Sequence, residues 1–197
     1  MGVKYEVLRE QIATYYAQMP EAVYIGGHIP YSTFLDNITP NPWNYVTILR
    51  DPESRLLSHY YYNAHKPRQE HFGIDVGLEE FLESPAGRWY GNNYVWIFMG
   101  ECMTYEARGD FNMATMRTDE TIAMAKRNLD KFAVIGTTKS LPSFEAAIQR
   151  HFGASLKIPH VNQNPAKKYP SLKDLSENIR KKMEEICAPD REVFEHA

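Results

Sequence analysis

Cysteine is scarce in this chain: two in 197 residues, Cys102 and Cys187. That is too few for a disulfide framework, and the two lack the CxxC spacing of a zinc or redox site, so a reducing compartment is expected. Long apolar runs are missing as well. The longest stretch without Asp, Glu, Lys or Arg is Ala22–Leu35, 14 residues interrupted by Gly26, Gly27, His28 and Pro30, against the ~20 apolar residues of a spanning helix. Lys4, Glu6, Arg9 and Glu10 crowd the first ten residues and leave no apolar stretch for a signal peptide there, so a cytoplasmic chain with no membrane partner is the expectation. No charge of one sign dominates. The net charge is −3, with 22 basic and 25 acidic residues, so no chain-wide positive field exists to hold nucleic acid, and any polyanion site must be local.

The composition, 43% hydrophobic and 24% charged, suits a single globular domain over residues 1–197. No repeat or low-complexity tract divides it. Val7, Leu8, Ile12, Tyr15 and Tyr16 recur at helical spacing between Val3 and Gln18, before Pro20. Three short apolar runs, Ala22–Gly26, Tyr45–Leu49 and Phe132–Gly136, read as buried strands of a parallel sheet. A helix-compatible segment comes after each: a short one after His28, one over Pro52–Asn63, and one over Pro142–Phe152 closed by Gly153. Further helices are predicted at Gly77–Glu83, Trp89–Met99 and Asp119–Leu129, and Ser171 with Asp174 forms a capping box for a helix to about Cys187. The class is α/β, with a parallel central sheet flanked by helices.

The segment Tyr45–Tyr62 carries the chemistry. Its apolar run delivers Arg50 to the carboxyl end of a strand, where open α/β sheets bind ligands. Asp51 fits an N-cap and Pro52 the first helical position. Ser58 comes seven residues after Asp51, close to two turns at ~3.6 residues each, and returns to the face beneath Arg50. A guanidinium with forked donors and a small hydroxyl suit a phosphate. Alone, Arg-Asp-Pro is also an ordinary strand-to-helix turn, with Arg55 pairing to Asp51 or Glu53 at the surface. His59, His65 and His71 recur every six residues, which fits no metal motif, and no metal is proposed. Trp89 or Tyr90 could stack on a sugar, whereas Arg180, Lys181 and Lys182 read as a solvated face.

The fuller pattern Arg-Asp-Pro-x-x-Arg-x-x-Ser-x-Tyr resembles the 3′-phosphate motif of sulfotransferases that use PAPS, 3′-phosphoadenosine 5′-phosphosulfate. Within them the chain looks most like the carbohydrate branch, in particular the heparan sulfate 2-O-sulfotransferases. Tyr24–His28, Ala125–Gly136 and Leu172 onward line up in order. The resemblance implies a P-loop NTPase-like fold and sulfuryl transfer from PAPS to a hydroxyl, with PAP, adenosine 3′,5′-bisphosphate, as product and a carbohydrate as acceptor. It assigns the 3′-phosphate to Arg50 and Ser58, and the general base to His28, whose imidazole is a side chain suited to taking a hydroxyl proton. His160–Tyr169 falls where the family folds a loop over the nucleotide; Lys167 and Lys168 there belong either to such a lid or to a solvated connection. The family's Pro-Lys-Thr-Gly-type phosphosulfate loop and its strand do not occur in the sequence, and Gly136–Ser140 only superficially resembles a phosphate loop. Two expectations are open: an amino-terminally shortened sulfotransferase that turns over slowly or not at all as written, or a non-catalytic nucleotide- or anion-binding module that keeps only the 3′-phosphate site; a phosphotransferase of the nucleotide kinase type is disfavoured by the lack of a Walker loop.

Overall fold

The computed structural model describes residues 11–19, 24–38, 43–66, 73–100, 117–159 and 169–197. Residues 11–17 are helical (α1), followed by α2 (Thr33–Ile38), β1 (Tyr45–Leu49), α3 (Pro52–His65), α4 (Leu78–Glu83), α5 (Pro85–Gly91), α6 (Asn93–Phe98), α7 (Asp119–Leu129), β2 (Phe132–Thr137), α8 (Leu141–Phe152) and α9 (Glu177–His196). β1 and β2 pair in parallel as a two-stranded sheet. The chain divides into two compact units, residues 1–45 with 94–132, and 46–93 with 133–197.

In the first unit, α1 and α2 bury Ala13, Ala17 and Leu35, and Ile25, Ile29 and Trp43 pack on them. This contact explains why the expected strand at Ala22–Gly26 does not form among its described residues: Ile25 covers a helix pair while Tyr24 stays 77% exposed, and neither joins a ladder. Ala22 and Val23 lie outside the described residues. The rings of Tyr31, Tyr45, Phe98 and Phe132 form a second cluster, with neighbouring centroids 5.0–5.9 Å apart. Buried Asn128 on α7 donates to the Phe98 carbonyl at 2.9 Å, satisfying the end of α6.

The second unit holds the sheet, except for the first residue of each strand, together with α3, α4, α5, α8 and α9. Val46 and Ile48 of β1 pack with Val134 of β2 and with Phe144 and Ile148 of α8. The β-carbon that any other residue would carry at Gly136 overlaps the Phe144 side chain, so this glycine serves packing rather than a phosphate loop. α8 ends, as expected, on Gly153 in the left-handed conformation at φ 69°. The larger core joins Leu56, Leu57 and Tyr60 of α3, Phe81 and Leu82 of α4, and Met183, Ile186 and Cys187 of α9.

Two expected helices differ from those observed. Residues Trp89–Met99 do not form one helix. α5 starts earlier, at Pro85 behind the Ser84 cap, and stops at fully buried Asn92, whose side chain donates to the Arg88 carbonyl at 2.7 Å and competes with the backbone ladder. The Ser171–Asp174 capping box exists, with Ser171 N donating to Asp174 Oδ2 at 2.8 Å, but it opens a single 3₁₀ turn. Ser176 then caps α9, which runs past Cys187 and through Pro189 to His196.

Pro189 removes a backbone donor from α9, yet the helix continues because its next turn is anchored in the interior: Asp190 and Val193 are 0% exposed. Asp190 accepts from Arg55 of α3 at 3.0 Å, and the same guanidinium donates to the Tyr90 carbonyl at 2.5 Å. Asp190→Ala leaves the 18%-exposed Arg55 side chain without this carboxylate and is expected to cost about 3–5 kcal/mol in urea unfolding. A loss under ~1 kcal/mol would show that the pair is not a lock on α9.

Candidate functional site

Arg50 comes directly after β1 and is half-buried. The residue after it caps α3: Asp51 accepts from the Ser54 backbone N–H at 2.9 Å, and Pro52 takes the first helical position. Ser58 is half-buried in the middle of α3, between the buried pairs Leu56–Leu57 and Tyr60–Asn63. Beside them, the Thr138 N–H donates to the Leu49 carbonyl at 2.8 Å, so the turn from β2 into α8 sits against the carboxyl end of β1. The carboxyl edge of the sheet thus gathers Arg50, the amino-terminal turn of α3 and the Thr138–Ser140 turn, a setting that favours anions.

The acidic and basic residues around the motif are paired differently from the sequence expectation. Arg55 turns to Asp190 and the Tyr90 carbonyl instead of Asp51 or Glu53. Those two carboxylates are taken by Arg191 of α9, which donates Nη2 to Asp51 Oδ2 at 2.7 Å and pairs with Glu53 as well. Burial raises the Asp51 pKa, but hydrogen bonds from Ser54 and the Arg191 charge outweigh it and hold the carboxyl below its ordinary value. Sequence reasoning missed Asp190 and Arg191 because they lie 135 to 140 residues from their partners. Nothing local to either segment announces the match.

His28 lies in the first unit, exposed in a bend. Its loop is fixed three residues on, where Tyr31 N donates to the Ile97 carbonyl at 2.8 Å and the Tyr31 hydroxyl accepts from Lys131 at 2.9 Å. Lys167 and Lys168 lie outside the described residues. Tyr169, next in the chain, stacks on Tyr61 of α3 with centroids 5.0 Å apart. Tyr61 is one turn beyond Ser58, so the far end of the expected lid is anchored to the helix that carries the expected phosphate hydroxyl. Arg180 and Lys181 are exposed, as expected of a solvated face, whereas Lys182 is half-buried and pairs with Glu83 at the end of α4. Among the described residues there is no His, Cys, Asp or Glu cluster suited to a metal, and no helix is long and apolar enough to cross a membrane.

A cleft of about 330 Å³ is lined by His59 of α3 and by Tyr90, Ile74, Asp75, Val76 and Phe81 among others. The His59 ring lies 3.7 Å, centroid to centroid, from that of Tyr90, so one face of the expected sugar-stacking residue is already covered.

Compared with known proteins, the chain matches the galactose-3-O-sulfotransferase family profile over residues 14–135. No curated protein matches it. The matched span includes His28, Arg50 and Ser58 and stops short of Lys167 and Lys168.

His59 lies within that span and gives a pH dependence. Burial, reinforced by the Arg55 and Lys66 charges, lowers its pKa from 6.5 to about 4. The folded state keeps the ring neutral where the unfolded chain protonates it, so the unfolded state binds more protons between these values. Stability should fall as pH drops from 6.5 towards 4, with a slope approaching ~1.4 kcal/mol per pH unit from this group. His59→Phe, which keeps a ring on Tyr90, should flatten the urea-unfolding profile across that window; parallel profiles would remove His59 as the cause.

Proposed function

The chain belongs to the galactose-3-O-sulfotransferase family, and from this membership we propose that it moves a sulfuryl group from PAPS to a carbohydrate hydroxyl, the 3-hydroxyl of a galactoside by the family's name. The observation that carries the nucleotide half is the strand-turn-helix holding Arg50 and Ser58. Its donors are a permanently charged fork at the carboxyl edge of a parallel sheet and a compact hydroxyl on the helix that follows, the chemistry a phosphate monoester dianion requires. In this reading Arg50 and Ser58 bind the 3′-phosphate, and Lys167 and Lys168, which precede Tyr169 in the chain, are the further nucleotide contacts that the resemblance implies.

His28 is the general base. This assignment rests on the likeness of Tyr24–His28 to the Gly-His segment of the heparan sulfate 2-O-sulfotransferases, and on the exposure of the imidazole. The base takes the acceptor hydroxyl's proton as its oxygen bonds to sulfur and the bond from sulfur to the nucleotide's bridging oxygen breaks. By analogy with phosphoryl transfer, such a loose displacement relies on positioning and on stabilising charge at the leaving oxygen.

Two measurements test the reading. PAP should raise the melting temperature well above the shift given by AMP, which lacks the 3′-phosphate. Arg50→Ala should erase the difference, since it removes a charge-assisted bond worth ~1.5–3 kcal/mol. Equal shifts from PAP and AMP in the unaltered protein would overturn the nucleotide assignment.

The second is radiolabelled sulfate transfer from PAPS to a panel of galactosides and other glycans. His28→Ala should lower transfer by ~10²–10⁴ and leave PAP affinity within about twofold, the pattern of a lost general base. Undiminished transfer by that variant would remove His28 from the chemistry. PAP binding with no transfer, even once a phosphosulfate loop is added upstream, would favour the alternative, a module that binds nucleotide without turning it over.

A further inference from the structure

Two carboxylates stand beside the arginine proposed to hold a phosphate: Asp51 adjoins it in sequence, and Glu53 lies in the first turn of α3. Both are withdrawn from water, with side chains 18% and 9% exposed, where repulsion of an approaching dianion is screened far less than at an open surface. Such an arrangement would cancel much of what Arg50 contributes. Arg191 of α9 counters it, bonding Asp51 and Glu53 with one guanidinium nitrogen and resting its cation near the Phe194 ring, 5.6 Å from the centroid. The neighbouring Arg55–Asp190 pair is neutral in itself and leaves this balance untouched.

We infer that Arg191 is a positioning residue for the nucleotide's 3′-phosphate: it acts through Asp51 and Glu53, neutralising one of their two charges so that the field at Arg50 accepts a dianion. The inference rests on the reading that Arg50 and Ser58 hold that phosphate. Arg191 itself does not touch the ligand. With Arg191 present, the two cations and two carboxylates of this group sum to zero; without it the group is net negative and the 3′-phosphate meets repulsion that AMP escapes.

Titration calorimetry of the full chain with PAP and with AMP tests this. Arg191→Met should weaken PAP ~10-fold or more and AMP less than about twofold, and raising salt should narrow the PAP deficit, because the loss is repulsion. Arg191→Met combined with Glu53→Gln should recover most of the PAP affinity, since it restores the charge balance without restoring the bridge. A double variant as weak as Arg191→Met would mean that the bridge, not the charge, matters, and would overturn the inference. Should Arg191→Met fail to fold, Glu53→Gln alone decides: it should tighten PAP and leave AMP unchanged, and weakened or unchanged PAP binding refutes the proposal. An unaltered chain that does not prefer PAP over AMP overturns the 3′-phosphate assignment and this inference with it. A preference that survives intact in Arg191→Met overturns this inference alone.

Discussion

The second unit depends on a pair of ionic clasps between the start of α3 and the latter half of α9. Arg191 holds Asp51 and Glu53, and Asp190 holds Arg55. Consecutive residues of opposite charge on α9 meet opposite charges on α3, so the pairing fixes register as well as proximity. Buried ion pairs gain little net stability over apolar replacements, and the apolar packing of Met183, Ile186 and Cys187 on Leu56, Leu57 and Tyr60 supplies the driving force. The clasps specify which turn of α9 faces the cap of α3. Since the cap residue is itself clasped, the geometry beyond Arg50 is set jointly by a local hydrogen bond to Ser54 and a distant cation.

This division between local and distant causes marks how much of the fold is legible in the sequence. α7 can be read at its observed bounds because Thr118 capping, acidic Asp119 and Glu120, and basic Lys126 and Arg127 all lie within its own few turns. The Asp51 cap, Pro52 and the Gly153 terminus are equally local. Tyr45–Leu49 and the Phe132 run become strands because each has the other as a ladder partner. Tyr24 and Ile25 carry the same apolar signature and do not, since a strand is a property of a pair and this segment finds a helix surface instead. Asn92 illustrates the remaining kind of miss: its polarity points to no boundary, and only its burial makes the bond to the Arg88 carbonyl decisive.

The candidate site divides the same way. Arg50 and Ser58 can be named from one segment because strand end, cap and helical period all operate within that stretch. The family, galactose-3-O-sulfotransferase, confirms the carbohydrate sulfotransferase reading at that level. Arg191 and Tyr169 cannot be named this way, as each derives its relevance from a residue on or beside α3 that only the fold brings to it.

The separation between clasp partners, 135 to 140 residues, also has a temporal side. Loop closure over such a distance is among the slowest contacts a chain of this size makes. A ribosome adding ~5–20 residues per second reaches Arg191 many seconds after Arg50. Throughout that interval Asp51 and Glu53 follow Arg50 in the chain without the Arg191 cation that bridges them in the folded protein. In the reading proposed above, the 3′-phosphate site is a late product of folding, and truncation anywhere before α9 would yield a chain that carries the whole motif without the cation that balances its acids.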